Sequence, residues 1–166
     1  NQKGLSNDQA RLVYQDNDDR IWFGTRSGLN LWQDGKFKSY RTKDGFTNDF
    51  ITSIHQDRFD TLWVATTAGL HYLEPENDSI IAIKNSEAIQ DALFRIYEDE
   101  TGRLWIGSAN GLVTYYQGET YSFSKTDKWL GGTIYQVLED KQGFLWGTCG
   151  EGIIKVSKQN LLEHIN

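Results

Sequence analysis

The chain has 166 residues, a formal net charge of −6 and a pI near 5.0. That balance argues against a nucleic-acid backbone or an anionic membrane as the main partner, and no apolar run reaches the roughly 18 residues of a membrane-spanning helix. Cys149 is the single cysteine, which excludes an intramolecular disulfide, while 16 glycines, one proline and 13% aromatic residues suit short strands and tight turns. Residues 1–6 lack the charged head and apolar stretch of a signal peptide.

In chain order, Ala10 to Gln15 reads as a strand and Asp16-Asn17-Asp18-Asp19 as a tight turn. A short strand about Ile21-Trp22-Phe23 follows, then a turn closing at Gly28, a strand from Leu29 to Trp32, a hairpin turn at Asp34-Gly35 and a strand from Phe37 to Tyr40. The same order returns with Ile51 to Gln56, the turn at Asp57, Trp63, Gly69, Leu70 to Leu73, a longer turn over 74–78, and Ile80 to Ile83. It returns again with Leu93 to Glu98, Asp99, Trp105, Gly111, Leu112 to Tyr115, Gln117-Gly118 and Tyr121 to Phe123. The last pass has Ile134 to Glu139, Asp140, Trp146, Gly152 and Ile153 to Val156, with no clear fourth strand and helical periodicity only over Gln159 to Ile165.

Trp22, Trp63, Trp105 and Trp146 thus recur at spacings of 41, 42 and 41 residues, each with an aspartate six before and a glycine six after. The aspartates are expected to cap turns by accepting amides two or three residues on, and the fourth turn position (Asp19, Asp60, Gly102, Gly143) tolerates a left-handed backbone. The tryptophans sit in strands apolar on consecutive positions, which implies burial on both faces. Four antiparallel strands per unit of about forty residues is the pattern of a β-propeller blade. The expected fold is all-β: one propeller domain of about four four-stranded blades, with repeats at 4–44, 45–86, 87–127 and 128–166. The missing last strand points to part of a larger propeller; a closed four-bladed ring, or a homodimer completing an eight-bladed one, are the alternatives. In the inner strand before each aspartate the apolar positions do not alternate cleanly, so its facing stays open. In unit four Trp146-Gly147-Thr148 has either lost the apolar residue after tryptophan or shifted by one.

The pattern Asp-x-x-Gly-x-Leu-Trp-Ile-Gly-(Thr/Ser)-x-x-Gly-Leu, nearly ideal over Asp99 to Leu112, resembles the two-component regulator propeller repeat. The links Gly4-Leu5-Ser6-Asn7-Asp8 and Gly45-Phe46-Thr47-Asn48-Asp49 resemble it too; Glu87-Ala88 and Lys128-Trp129 depart from it. The resemblance implies a periplasmic or otherwise extracytoplasmic sensor region ahead of a membrane span and a kinase or cyclase, often responding to carbohydrate.

Candidate ligand positions lie where links and turns between second and third strands gather: Asn7, Asp8, Arg26, Ser27, Asn48, Asp49, Thr67, Asn110, Trp129 and Glu151. Amides, acids, arginine and an off-pattern tryptophan suit a small polyhydroxylated molecule or oligosaccharide. No nucleophile–base constellation, metal spacing or phosphate loop is legible, so no catalytic residue, metal or cofactor is expected. His55 and His71 read as strand residues, no histidine is expected on the ligand face, and Cys149 is expected as a small buried residue. A protein-interaction scaffold is the second reading, and a propeller lyase the third.

Overall fold

The structure, a computed structural model, describes residues 4–74, 79–84, 87–124 and 132–165. Its repeating element is the aspartate turn. Asp16 Oδ1 accepts the amides of Asp18 and Arg20 at 3.0 and 2.9 Å, and Oδ2 accepts Trp22 Nε1 at 2.7 Å. Asp57, Asp99 and Asp140 repeat this set, with tryptophan bonds of 2.7, 3.0 and 2.7 Å. The aspartates therefore accept amides two and four residues on, not two or three, and tie each turn to the tryptophan six residues later. The fourth turn position is left-handed in every copy, with φ of 59, 66, 86 and 79° at Asp19, Asp60, Gly102 and Gly143.

The first sheet holds β1 (Ala10–Gln15), β2 (Ile21–Thr25), β3 (Gly28–Gln33) and β4 (Lys36–Tyr40) in sequential antiparallel order. The second holds β5 (Ile51–Gln56), β6 (Leu62–Thr66), β7 (Gly69–Glu74) and β8 (Ser79–Ala82). The third holds β9 (Leu93–Glu98), β10 (Leu104–Ser108), β11 (Gly111–Tyr116) and β12 (Glu119–Phe123). The fourth has three strands, β13 (Ile134–Glu139), β14 (Phe144–Cys149) and β15 (Gly152–Ser157), followed by helix α1 (Lys158–Ile165). The helix packs Leu161, Leu162 and Ile165 into the core between the third and fourth sheets. Gly28 and Gly111 register the missing strand: a Cβ there would meet the Tyr40 and Phe123 carbonyls at 2.5 and 2.1 Å, whereas at Gly152 it would meet nothing within 4 Å.

Consecutive sheets stack like propeller blades. Trp22, Leu29 and Leu31 of the first pack against Ile54, Leu62 and Val64 of the second; Trp63 and Leu70 pack against Ile96, Leu104 and Ile106; Trp105 and Leu112 pack against Val137, Leu145 and Val156. Trp146 occupies the same strand position, but no described sheet covers its face and it is half-buried. Cys149, expected to be buried, is half-buried at the end of the same strand. Gly147 pairs with Val137 and Ile154, in the register of Phe23, so unit four has lost its apolar residue without shifting.

The fan converges on β1, β5, β9 and β13. Each carries one extra residue near its start: the partner register skips Arg11, Thr52, Phe94 and Tyr135 in turn. This is a β-bulge repeated in every unit. It also explains the imperfect alternation of these strands. Ile51 and Ile54 face one core, as do Leu93 and Ile96, although each pair is three residues apart.

Candidate functional site

The four bulges lie at the end of the inner strands where links and second-to-third-strand turns gather. There they border one cleft of about 430 Å³, lined from all four sheets by Arg11, Thr52, Phe94, Arg95, Tyr135 and Gln136 among others. A bulge frees a side chain from the pleat and re-aims it, which is why such features collect at strand ends beside sites. The Arg11 and Arg26 guanidinium groups lie 5.2 and 5.4 Å from the Phe50 ring centroid. Phe94 and Tyr135 tilt against each other at 5.4 Å. Thr52 Oγ1 is buried without a hydrogen-bond partner among the described residues. Neither Arg11 nor Arg95 has an ion pair or side-chain hydrogen bond there. Two unpaired cations, a waiting hydroxyl and an aromatic pair make a surface suited to an acidic, hydroxylated ligand.

The opposite end of the same strands is closed by its own residues. Glu98 takes His55 Nε2 at 3.1 Å and Arg58 Nε at 2.8 Å, while the other Arg58 nitrogens donate to the Asp99 and Glu100 carbonyls. Lys158 Nζ lies 2.7 Å from Glu139 and 3.6 Å from Asp99. Burial would lower the Lys158 ammonium, but its bond to Glu139 and the Asp99 charge outweigh that and raise it. Burial would likewise raise the Asp16 carboxyl, yet the bonds from Trp22 and Arg20 hold it below the usual range.

Several of the expected ligand positions bond within the links and the turns beside them. Asn7 Nδ2 donates to Ser27 at 3.1 Å, Asn48 accepts from Thr67 at 3.0 Å, and Asn110 donates to Asp91 at 2.7 Å. Asp49 accepts the Thr42 amide at 2.6 Å. These bonds pin each link to the turn beside it. Of the ten positions only Thr67 lines the cleft; Asp8 and Glu151 are exposed, and Trp129 lies outside the described residues. The four bulge residues were missed. Their signal is a pair of apolar residues three apart in a strand, the bulge residue being the first of the two between them.

His71, expected as a strand residue, lies in β7 and is fully buried beneath the link. Its Nε2 accepts the Thr47 amide of the link at 3.0 Å, with Nδ1 3.4 Å from the Val64 carbonyl. Asn30 does the same in the first unit, accepting the Ser6 amide at 2.8 Å. Burial pushes the His71 imidazole down to about 4, against the opposing bonds to Val64 and Gly69. It is neutral and structural. Among the described residues no group of three or more His, Cys, Asp or Glu side chains is placed to hold a metal ion.

Residues 4–27, 45–68 and 89–110 match the two component regulator propeller family. No functionally curated protein matches the chain in sequence. Among solved structures it resembles the extracellular domain assigned to a hybrid two component system of B. thetaiotaomicron at 20% identity and a TM-score of 0.83, covering 98% of this chain and 23% of that one. A second such extracellular domain from that organism shares 24% identity at a TM-score of 0.73, covering 92% and 22%. Virginiamycin B lyase from Staphylococcus aureus shares 13% identity at 0.65, covering 92% and 57%. These likenesses show the propeller fold, and the chain spans under a quarter of the length of the two extracellular domains.

Proposed function

We propose that this chain, three segments of which match the two component regulator propeller family, forms part of an extracytoplasmic sensor and binds an acidic oligosaccharide at the bulge-lined cleft. The observation that carries the reading is the repeated inner-strand bulge. It puts four unlike side chains, Arg11, Thr52, Phe94 and Tyr135, around one opening on an otherwise regular scaffold. The unpaired Arg11 and Arg95 answer a carboxylate or sulfate group, Thr52 a hydroxyl, and the Phe94–Tyr135 pair a sugar ring face. The chain's role is recognition, with the signal passed to output modules elsewhere in the receptor.

A thermal-shift screen of neutral and uronic-acid oligosaccharides tests this. Acidic members raise the melting temperature of the wild type, neutral ones raise it less, and Arg11→Ala with Arg95→Ala abolishes the shift. A folded protein that ignores every acidic member, or a shift indifferent to both arginines, contradicts the reading.

A further inference from the structure

We propose that the groove between the second and third sheets, at their aspartate-turn end, is a second binding site, one that takes a single neutral sugar ring. Both walls of the groove lie within the chain. The second sheet supplies Phe59 from the β5–β6 turn and Trp63 from β6. The third supplies Thr101 from the β9–β10 turn, Tyr115 and Tyr116 from the end of β11, and Gln117 beyond it. They enclose about 260 Å³. That is below the roughly 300–1,000 Å³ of pockets for drug-sized ligands and suits one ring.

The same place recurs at each junction between sheets, and the three are treated differently. At the first, the fourth turn position is Asp60, whose carboxylate takes Asn17 Nδ2 at 2.7 Å across the gap. At the third, the counterpart of Gln117 is Lys158, which pairs with Glu139 at 2.7 Å and approaches Asp99 at 3.6 Å. At the second, the fourth turn position is Gly102, with no side chain to reach across, and Gln117 enters a left-handed turn (φ 51°) with its side chain exposed. Aromatic rings stand there instead. The third turn position, polar in the other units as Asp18, Thr101 and Gln142, is Phe59, which is 78% exposed and outside every core cluster. Tyr115 tilts against Trp63 at 5.1 Å, and the Arg103 guanidinium lies 4.5 Å from the Tyr116 ring centroid, so both tyrosines are held in place.

The chemistry of the groove selects its ligand. Its rings offer apolar faces to the C–H face of a pyranose. The one charged group lining it among the described residues, the Asp57 carboxylate, is fully bonded: Oδ1 accepts the Phe59 and Thr61 amides and Oδ2 accepts Trp63 Nε1. The polar groups left over are neutral. Among the described residues the Tyr115 hydroxyl and the Gln117 amide make no hydrogen bond, and Thr101 Oγ1, donating to Asp99 at 2.6 Å, can still accept one. An apolar face with hydroxyls around its edge answers all of these, whereas a proline or aromatic side chain of a peptide would cover the rings and leave the polar groups unmatched. The site stands apart from the bulge-lined cleft and does not rest on the acidic ligand proposed there.

Saturation-transfer NMR and calorimetric titration test the groove with the methyl pyranosides of glucose, galactose, mannose and xylose. The proteins are the wild type, Phe59→Ala, Tyr115→Phe and the cleft variant carrying both Arg11→Ala and Arg95→Ala. Phe59 is exposed and Tyr115→Phe keeps the packed ring, so both variants retain the circular dichroism of the wild type. The wild type binds at least one of the four sugars. Phe59→Ala weakens that binding roughly tenfold and Tyr115→Phe several-fold, while the cleft variant binds as the wild type does. A wild type that binds none of the four overturns the proposal. So does binding that survives Phe59→Ala but is lost in the cleft variant, or a proline-rich peptide that displaces the sugar from the wild type.

Discussion

The inner strands have two ends, and the two treat charge in opposite ways. At the aspartate-turn end charge is met by charge: Glu98 pairs with Arg58 and bonds to His55, and Glu139 and Asp99 pair with Lys158. At the link end, among the described residues, Arg11 and Arg95 face a cleft without an ion pair or side-chain hydrogen bond, and Thr52 holds a buried hydroxyl that bonds to nothing. The same four strands run between these ends, so the difference lies in side chains and not in architecture. Partnered charge closes and stiffens one end; unpartnered polar groups beside a cavity are what a ligand site requires.

Substitutions at the closed end have the largest expected effects. Asp99→Ala strips the turn amides and Trp105 Nε1 of a buried acceptor and should cost about 3 kcal/mol by urea denaturation. Acid probes the link end through His71. Its folded pKa lies below the unfolded one, so its stabilisation is complete above about 6.5 and is lost as pH falls towards about 4. The loss is on the order of 3 kcal/mol, read as a falling melting temperature, and His71→Asn, copying Asn30, should flatten it. Glu98→Gln keeps its size but removes the charge shared by Arg58 and His55, and should cost roughly 1 kcal/mol. Arg95→Ala at the open end should change stability by under about 0.5 kcal/mol, while weakening any acidic ligand. Equal costs for Glu98→Gln and Arg95→Ala would remove the distinction between the two ends.

Most of the scaffold was legible because its signals are local. The aspartate turns, the left-handed fourth position, the hairpins and all four inner strands, from Ala10, Ile51, Leu93 and Ile134, follow from spacing and turn chemistry. The tryptophan–aspartate bond was not legible, since a spacing of six residues does not show that an indole reaches back to a carboxylate. The facing of the inner strands was hidden by the bulge, which turns a two-residue alternation into a spacing of three. The cleft was hidden for the same reason: its residues lie within strands, whereas link polarity drew attention to Asn48 and Asn110, which pin loops.

Calorimetric titration of an acidic oligosaccharide against the wild type, Arg11→Ala and Asn48→Ala, with a melting curve for each, separates inner-strand recognition from link scaffolding most directly. Arg11→Ala should lose affinity at unchanged melting temperature, and Asn48→Ala should melt earlier at unchanged affinity. The reverse pattern, with affinity following Asn48 and indifferent to Arg11, would contradict the assignment of the site to the inner-strand bulges.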